Sequence, residues 1–254
     1  MKNSLKLYLS ETLYKLNYAS INAKEAHADV LSGLKNEGCF KIERFLSEEQ
    51  CRVLVEAADN FIINHPNLLK RESNDSDVRA YGVERIVSDF DIPKVDNLSM
   101  EIFRRFVVHN IHDGFKLLGK ITASEDNLGS GGGWHRDAPF MHQFKTILYL
   151  TDVLEENGPF QYIRKSNRYK EFLNANKFLN KSIADYRFSE EEVEKLTSSG
   201  VLEEPTTFTA PAGTLLFADT RGLHRGKPLT EGERYAITHY HYNHKVDENK
   251  FFIK

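Results

Sequence analysis

At 254 residues, with 40% hydrophobic and 11% aromatic content, the chain can bury a sizeable core as one large domain of β-rich or mixed class. A formal charge of −3 leaves no global field to recruit nucleic acid or an anionic membrane surface. The only cysteines, Cys39 and Cys51, form neither a CxxC pair nor a disulfide framework, and no apolar run reaches bilayer-spanning length; this reads as a soluble, cytoplasmic protein with no membrane partner.

The first 45 residues carry helical periodicity, but Lys6, Glu11 and Lys15 break any signal-peptide core. After the apolar stretch "GCFKIERFL", Ser47 and Gln50 form a capping box, with Leu46 stapled onto Cys51. Leu54, Ala57, Ala58 and Phe61 then recur at helical spacing, predicting an amphipathic helix over 48–63. Residues 64–77, "NHPNLLKRESNDSD", read as a loop.

From residue 79 the texture becomes β-like. "AYGVERIVS", "GFKLLGKITA", "FKTILYLTDV", "GPFQYIRK", "TTFTAPAGTLLFAD" and "ERYAITHYHYN" are β-branched and aromatic runs separated by turn residues. Such a series predicts a barrel or sandwich. Two helical interruptions are expected, one over 100–112 and one from Tyr169 to about Lys195 with its own cap at Ser189. The fold class is mainly β with flanking helices (α+β). It is organised as one domain over 1–254: a helical N-terminal flank to about 78, a β core over about 79–245 and a helical insertion over about 167–204.

Three consecutive glycines, 131–133, run into "WHRD". On an extended segment His135 and Asp137 face the same side, so an imidazole and a carboxylate converge on one point. His224, at the end of a strand-like run, supplies a third donor, giving a candidate 2-His-1-carboxylate triad of the kind that suits non-haem Fe(II) and O2. A lone His-x-Asp also fits two solvated loop residues. Arg234, ten positions after His224, weighs against that reading, because its planar fork matches a carboxylate whose other end chelates iron.

"GGGWHRDAP", "ILYLTDVLEENGPFQYIRKSNR", "PAGTLLFADTRGLHRG" and "ERYAI" resemble the successive core motifs of the phytanoyl-CoA dioxygenase family, and residues 34–62 resemble its opening strand and helix. The resemblance, which runs over about 31–243, implies a double-stranded β-helix (jelly-roll) core and an Fe(II)- and 2-oxoglutarate-dependent dioxygenase. It implies that His135, Asp137 and His224 bind iron and that Arg234 holds the distal carboxylate of 2-oxoglutarate. The implied reaction consumes O2, releases succinate and CO2, and hydroxylates an unactivated C–H bond of a small-molecule or carrier-linked metabolite.

Tyr149 occupies a strand position where relatives often place a residue against the cosubstrate. Lys145 on the same face and Lys120 on the preceding strand are weaker candidates, and Thr238 is expected to share the inward face of Arg234. The chain reads Arg164-Lys165-Ser166-Asn167 where many relatives have Pro-Gly-Ser-His, and Gly226 stands where some offer a hydroxyl. Asp137 argues against a halogenating relative, in which a small residue frees that site. "GFKLLGKI" (114–121) approaches a phosphate-binding loop, but Ile121 stands where a hydroxyl must bind magnesium.

His239 and His241 in "HYHYNH" face away from the pocket, while His142 is expected to be structural, and His109 and His112 to be ordinary helix residues. Arg164, Lys165 and Arg168 read as a surface turn. Two other functions fit the same residues: a non-catalytic jelly-roll ligand-binding protein, and a zinc hydrolase using the same ligands. The intact set of four disfavours the first, and Arg234 without a nearby general base disfavours the second.

Overall fold

The computed structural model describes residues 9, 27–72, 75–106, 112–124, 129, 131–137 and 143–242. Helix α1 (Ala28–Glu37) leads into strand β1 (Cys39–Ile42), and helix α2 (Glu48–Asn64) follows. The predicted capping box is formed: the Gln50 amide donates to Ser47 Oγ at 3.2 Å, and the Ser47 amide donates to Gln50 Oε1 at 3.0 Å. Strands β2 (Leu69–Glu72) and β3 (Asp77–Tyr81) precede helix α3 (Pro93–Phe106) and the long strand β4 (His112–Thr122). Then come β5 (Gln143–Tyr149), β6 (Phe160–Ile163), helices α4 (Tyr169–Phe178) and α5 (Glu190–Ser198), and strands β7 (Pro205–Phe208), β8 (Leu215–Asp219), β9 (His224–Gly226) and β10 (Glu233–Tyr242).

The strands form an antiparallel seven-stranded sheet, ordered β1-β8-β5-β10-β4-β3-β2, and an antiparallel three-stranded sheet, ordered β7-β6-β9. Their facing sides interdigitate as a jelly roll, with Ile147, Tyr149, Leu216 and Ala218 of the large sheet against Phe160, Tyr162 and Phe208 of the small one. The other side of the large sheet packs under α1, α2 and α3 through Leu34, Leu54, Phe61, Ile102, Phe103, Phe144, Leu148 and Phe217. A third apolar cluster joins Trp134, Ile163, Ala175, Phe188, Leu196 and Leu223. Among the described residues, no helix is long and apolar enough to cross a membrane.

Four expectations shift. Of the run "AYGVERIVS" only Ala80 and Tyr81 lie in a strand, at the end of β3, and Val83–Arg85 and Ser88–Phe90 form short 3-10 turns because Gly82 breaks the extended run. The stretch 64–77 holds strand β2, whose "LKRE" lacks apolar alternation because it lies at the sheet edge with only β3 as a neighbour. The helix expected over 100–112 runs over Pro93–Phe106, with proline at its first position, where no N–H is needed, and Val95, Leu98, Ile102 and Phe106 on its buried face. His112 opens strand β4 instead of ending that helix. The second helical interruption is two helices separated by a non-helical link over 179–189, with the Ser189 cap opening α5. His109 and His142 lie outside the described residues.

His239 and His241 do point away from the interior of the roll, and the environment there is packed. His241 is fully buried against Phe103 and Phe144, with the tilted His239 ring centred 3.9 Å away. Burial, then the neighbouring His239 and Lys116, hold its imidazole well below the ordinary histidine value of 6.5. The unfolded chain therefore takes up this proton as pH falls through that value, while the folded chain resists it. Folding stability should be full above pH 7 and fall by about 2 kcal/mol by pH 5 from this residue. Thermal unfolding across pH 5–7 should show a shallower loss for His241→Phe than for wild type; equal slopes would show that the proton is taken up elsewhere.

Candidate metal centre

The glycine run is a sharp turn that delivers the first donors. Gly131, Gly132 and Gly133 all have left-handed backbones, with φ of 89°, 67° and 88°. At Gly131 space is also decisive, since a Cβ would stand 2.3 Å from Cε1 of His135. Arg187 fixes the turn by donating to the carbonyls of Gly131 and Gly132 at 2.6 and 2.9 Å.

Beyond the turn the chain extends and pairs on both sides. The His135 and His224 backbones exchange two hydrogen bonds of 3.0 Å, and the Asp137 amide donates to the Thr220 carbonyl at 2.8 Å. On the opposite edge, the amides of Arg136 and Phe188 donate to the carbonyls of Tyr186 and Trp134. The small sheet is thus continued from β9 through residues 134–136 to the link between α4 and α5.

Each imidazole is fixed by the same local device. His135 Nδ1 donates to the Gly133 carbonyl, and His224 Nδ1 donates to the Gly222 carbonyl, both at 2.9 Å. A carbonyl only accepts, so Nδ1 carries the proton and Nε2 presents its lone pair to the site. His135 Nε2 lies 3.6 Å from Asp137 Oδ1, and His224 Nε2 lies 3.5 Å from Asp137 Oδ2.

One donor atom from each of the three residues falls within 4.8 Å of the other two. His224 Nε2 is buried without a hydrogen-bond partner, a costly arrangement that a cation would relieve, and it faces Asp137 Oδ2, whose one ion-pair partner among the described lysines and arginines is Lys145. Burial pushes His135 down to about 3, assisted by the neighbouring His224, so it stays neutral and ready to ligate. Burial alone would raise the Asp137 carboxyl, but Lys145 and the two imidazoles outweigh it and hold it well below the carboxylate range. Two neutral imidazoles and one carboxylate on adjacent edges fit a divalent iron with open positions.

Register decides which other candidates reach this interior. On β10, Arg234, Ala236, Thr238 and Tyr240 share the inward face; Ala236 pairs with Tyr149, Thr238 with Ile147 and Tyr240 with Lys145. Arg234 is buried, has Tyr149 and Asp77 within electrostatic reach, and forms no ion pair among the described residues. The Tyr149 hydroxyl is engaged, accepting from the Phe160 amide at 2.8 Å and donating to the Phe208 carbonyl at 3.2 Å. Towards a ligand it therefore offers its ring.

Lys120 faces the other way, pairing with Asp59 of α2 at 3.0 Å, so it has no access to the interior. The alternation of Phe115, Leu117 and Ile121 with Lys116 and Lys120 carried that signal. Lys145 does point inward, its ammonium paired with Asp137 and lying 4.8 Å over the Tyr240 ring. Arg164 and Lys165 pair with Glu37 and Glu203 in an outer turn, and Arg168 donates to the Asn36 carbonyl.

Arg136, between His135 and Asp137, is fully buried. Its guanidinium donates to the carbonyls of Ser166 and Arg221 at 2.7 and 2.8 Å and stacks 4.4 Å over Phe172. It thereby ties the His-x-Asp segment to the segment leading into His224.

Solved structures of the same architecture accord with this reading. The carbocyclase SnoK from nogalamycin biosynthesis is 14% identical, with 91% of each chain covered and a TM-score of 0.62. EctD from S. alaskensis, solved with 2-oxoglutarate and 5-hydroxyectoine, is 14% identical over 86% of this chain and 76% of its own, with a TM-score of 0.65. The epimerase SnoN, solved with Fe3+, alpha ketoglutarate and nogalamycin RO, is 11% identical over 85% and 82%, with a TM-score of 0.63. No curated protein sequence matches the chain.

Fold and site together define a class: jelly-roll oxygenases that use iron and 2-oxoglutarate. The model of phytanoyl-CoA dioxygenase (PhyH) matches residues 34–236, and the chain belongs to that family. The iron and 2-oxoglutarate expected from the sequence agree with the groups held in those structures and with the His-Asp-His cluster.

Gly131 and Gly133 separate the two costs of altering the turn. Both require a left-handed backbone, but a Cβ on Gly133 meets nothing within 4 Å, whereas one on Gly131 strikes the His135 ring. Gly133→Ala should cost about 1–2 kcal/mol of stability and leave metal affinity nearly unchanged. Gly131→Ala should also weaken Fe(II) binding by about 10–100-fold. Thermal unfolding and anaerobic metal titration of the two variants check this, and equal metal affinities would contradict it.

Proposed function

We propose that the protein is an Fe(II)- and 2-oxoglutarate-dependent hydroxylase of a small-molecule or carrier-linked metabolite, with His135, Asp137 and His224 as the iron ligands. The observation that carries the reading is the convergence of three donor atoms within 4.8 Å on a common point, with both imidazoles locked in the tautomer that frees Nε2. Iron with 2-oxoglutarate and O2, when bound, supplies the oxidising power, releasing succinate and CO2.

The chain's own residues hold, orient and shield. Arg234 takes the distal carboxylate of 2-oxoglutarate, which is supported by its burial without an ion-pair partner; a buried guanidinium is stable when a carboxylate arrives. Tyr149 forms a wall beside it, with its hydroxyl committed to backbone groups of the small sheet. Ile147, Phe160, Tyr162 and Phe208 keep the space between the sheets apolar, which restricts water around the reacting groups.

Hydroxylation is the reading of the outcome. Structural neighbours run other reactions on the same roll, as the names epimerase and carbocyclase indicate for SnoN and SnoK. Substrate-dependent succinate release over metabolite pools tests the activity, and His135→Ala or Asp137→Ala should each lower it by more than about 100-fold. Arg234→Met should leave Fe(II) binding intact and weaken 2-oxoglutarate by about 10–100-fold in anaerobic calorimetry. If the purified protein binds Fe(II) but never 2-oxoglutarate, the oxygenase reading is wrong and a zinc- or ligand-binding role takes its place.

A further inference from the structure

The inward face of the large sheet carries two cationic poles, and the reading above uses only one. Arg234 lies beside Tyr149, Asp77 and Arg79. Lys145 lies beside Asp137, Tyr240 and Tyr81. Six residues of extended β10 separate Arg234 from Tyr240, the partner of Lys145 in register, which is about 20 Å of strand. One small dicarboxylate reaching from the metal to Arg234 therefore does not also need Lys145.

Charge accounting shows what Lys145 lacks. A ferrous ion and Arg234 carry three positive charges between them; 2-oxoglutarate and Asp137 carry three negative ones; the neutral imidazoles add none. Arg79 is already answered by Asp77, to which its Nε donates at 2.9 Å. Lys145, whose side chain is only 9% exposed, leaves the loaded site with one positive charge in excess. Among the described residues its one carboxylate partner is Asp137, and Asp137 is shared with the metal. A buried ammonium in that position is costly unless a further anion joins it.

The surroundings describe the rest of that anion. Tyr240 lies under the ammonium, and Phe115 stacks on Tyr240 at 5.1 Å; Tyr81 and Tyr242 meet Phe115 at 5.9 and 6.1 Å. This aromatic group occupies the inward faces of β3, β4 and β10 beside the Asp137 side of the triad.

We propose that Lys145 and its aromatic neighbours form the substrate subsite, and that the substrate is an organic monocarboxylate with a ring or hydrocarbon body. The carboxylate pairs with Lys145 and the body packs on Tyr240, Tyr81 and Phe115, which brings a C–H bond near the metal. A single excess positive charge favours a monoanion over a phosphate ester, which would overshoot it. The proposal rests on the iron and 2-oxoglutarate reading and adds the class of substrate to it.

The experiment is anaerobic calorimetry on protein saturated with Fe(II) and 2-oxoglutarate. It uses matched carboxylate and amide pairs of phenylalkyl and C4–C12 alkyl chains, with matched phosphate esters as a further arm. Wild type should bind at least one carboxylate ten-fold or more tightly than its amide. Lys145→Met should abolish that preference while 2-oxoglutarate affinity stays within two-fold, and Lys145→Arg should restore part of it.

The subsite is refuted if no carboxylate outbinds its amide, or if the phosphate esters outbind the carboxylates. It is also refuted if Lys145→Met weakens 2-oxoglutarate as much as the probes, since Lys145 would then serve the cosubstrate. Failure of the parent reading looks different: Fe(II) or 2-oxoglutarate itself does not bind the wild-type protein. Thermal unfolding of both variants guards against loss of fold.

Discussion

Two backbone hydrogen bonds between His135 and His224 hold together segments 89 residues apart in the chain, and the site depends on them. In an antiparallel pair that exchanges both bonds, the side chains of the two residues stand side by side on one face. Their rings accordingly lie with centroids 4.3 Å apart, and Asp137, two residues along, returns to that face. A one-residue slip would turn His135 outward and bring Arg136 into the site. Metal geometry is therefore a question of register, and what protects register protects function.

That protection comes from packing behind these side chains. Trp134 and Leu223, each directly preceding one of the two histidines, enter the same buried cluster with Ile163, Phe188 and Leu196. The insertion carrying α4 and α5 contributes Phe188 and Leu196, and its link bonds to the backbone of residues 134–136. The helical insertion thus acts as a buttress of the site. Arg136 adds a polar strut, spending its guanidinium on carbonyls beside both histidine arms. The same pairing that faces His135 and Asp137 inward faces Arg136 towards this support.

Much of the molecule was legible because its rules are local. Ser47 and Gln50 announced α2, the strand runs announced β4 to β8 and β10, and the His-x-Asp spacing announced two donors on one face. What escaped depends on neighbours. The polar start of α3 fell outside the helix expected over 100–112 because only its placement under the large sheet reveals Val95 and Leu98 as a buried edge. Lys120 and Lys145 looked equivalent on adjacent stretches of sequence, although pairing sends one under α2 and the other to Asp137. Side-chain parity within a strand is local, but which parity faces inward is set by the sheet.

The centre is also built against its own stability. His224 Nε2 is buried and unbonded, His135 is kept from protonating, and three adjacent glycines adopt left-handed backbones. Each arrangement disfavours the folded chain when considered alone, and each prepares a donor for a cation. A ligand that binds only the folded state returns this stability in proportion to its concentration and affinity, so metal and fold are thermodynamically linked. The helices on the outer face serve the opposite purpose. There Lys116 and Lys120 have carboxylates at 2.7 and 3.0 Å, and the buried rings of Phe103, Phe106 and Phe144 carry no unanswered charge. The two faces of one sheet divide the work: the face under the helices buries most of the apolar rings and pairs its lysines with carboxylates, and the face inside the roll holds the donor atoms where ligands are to bind.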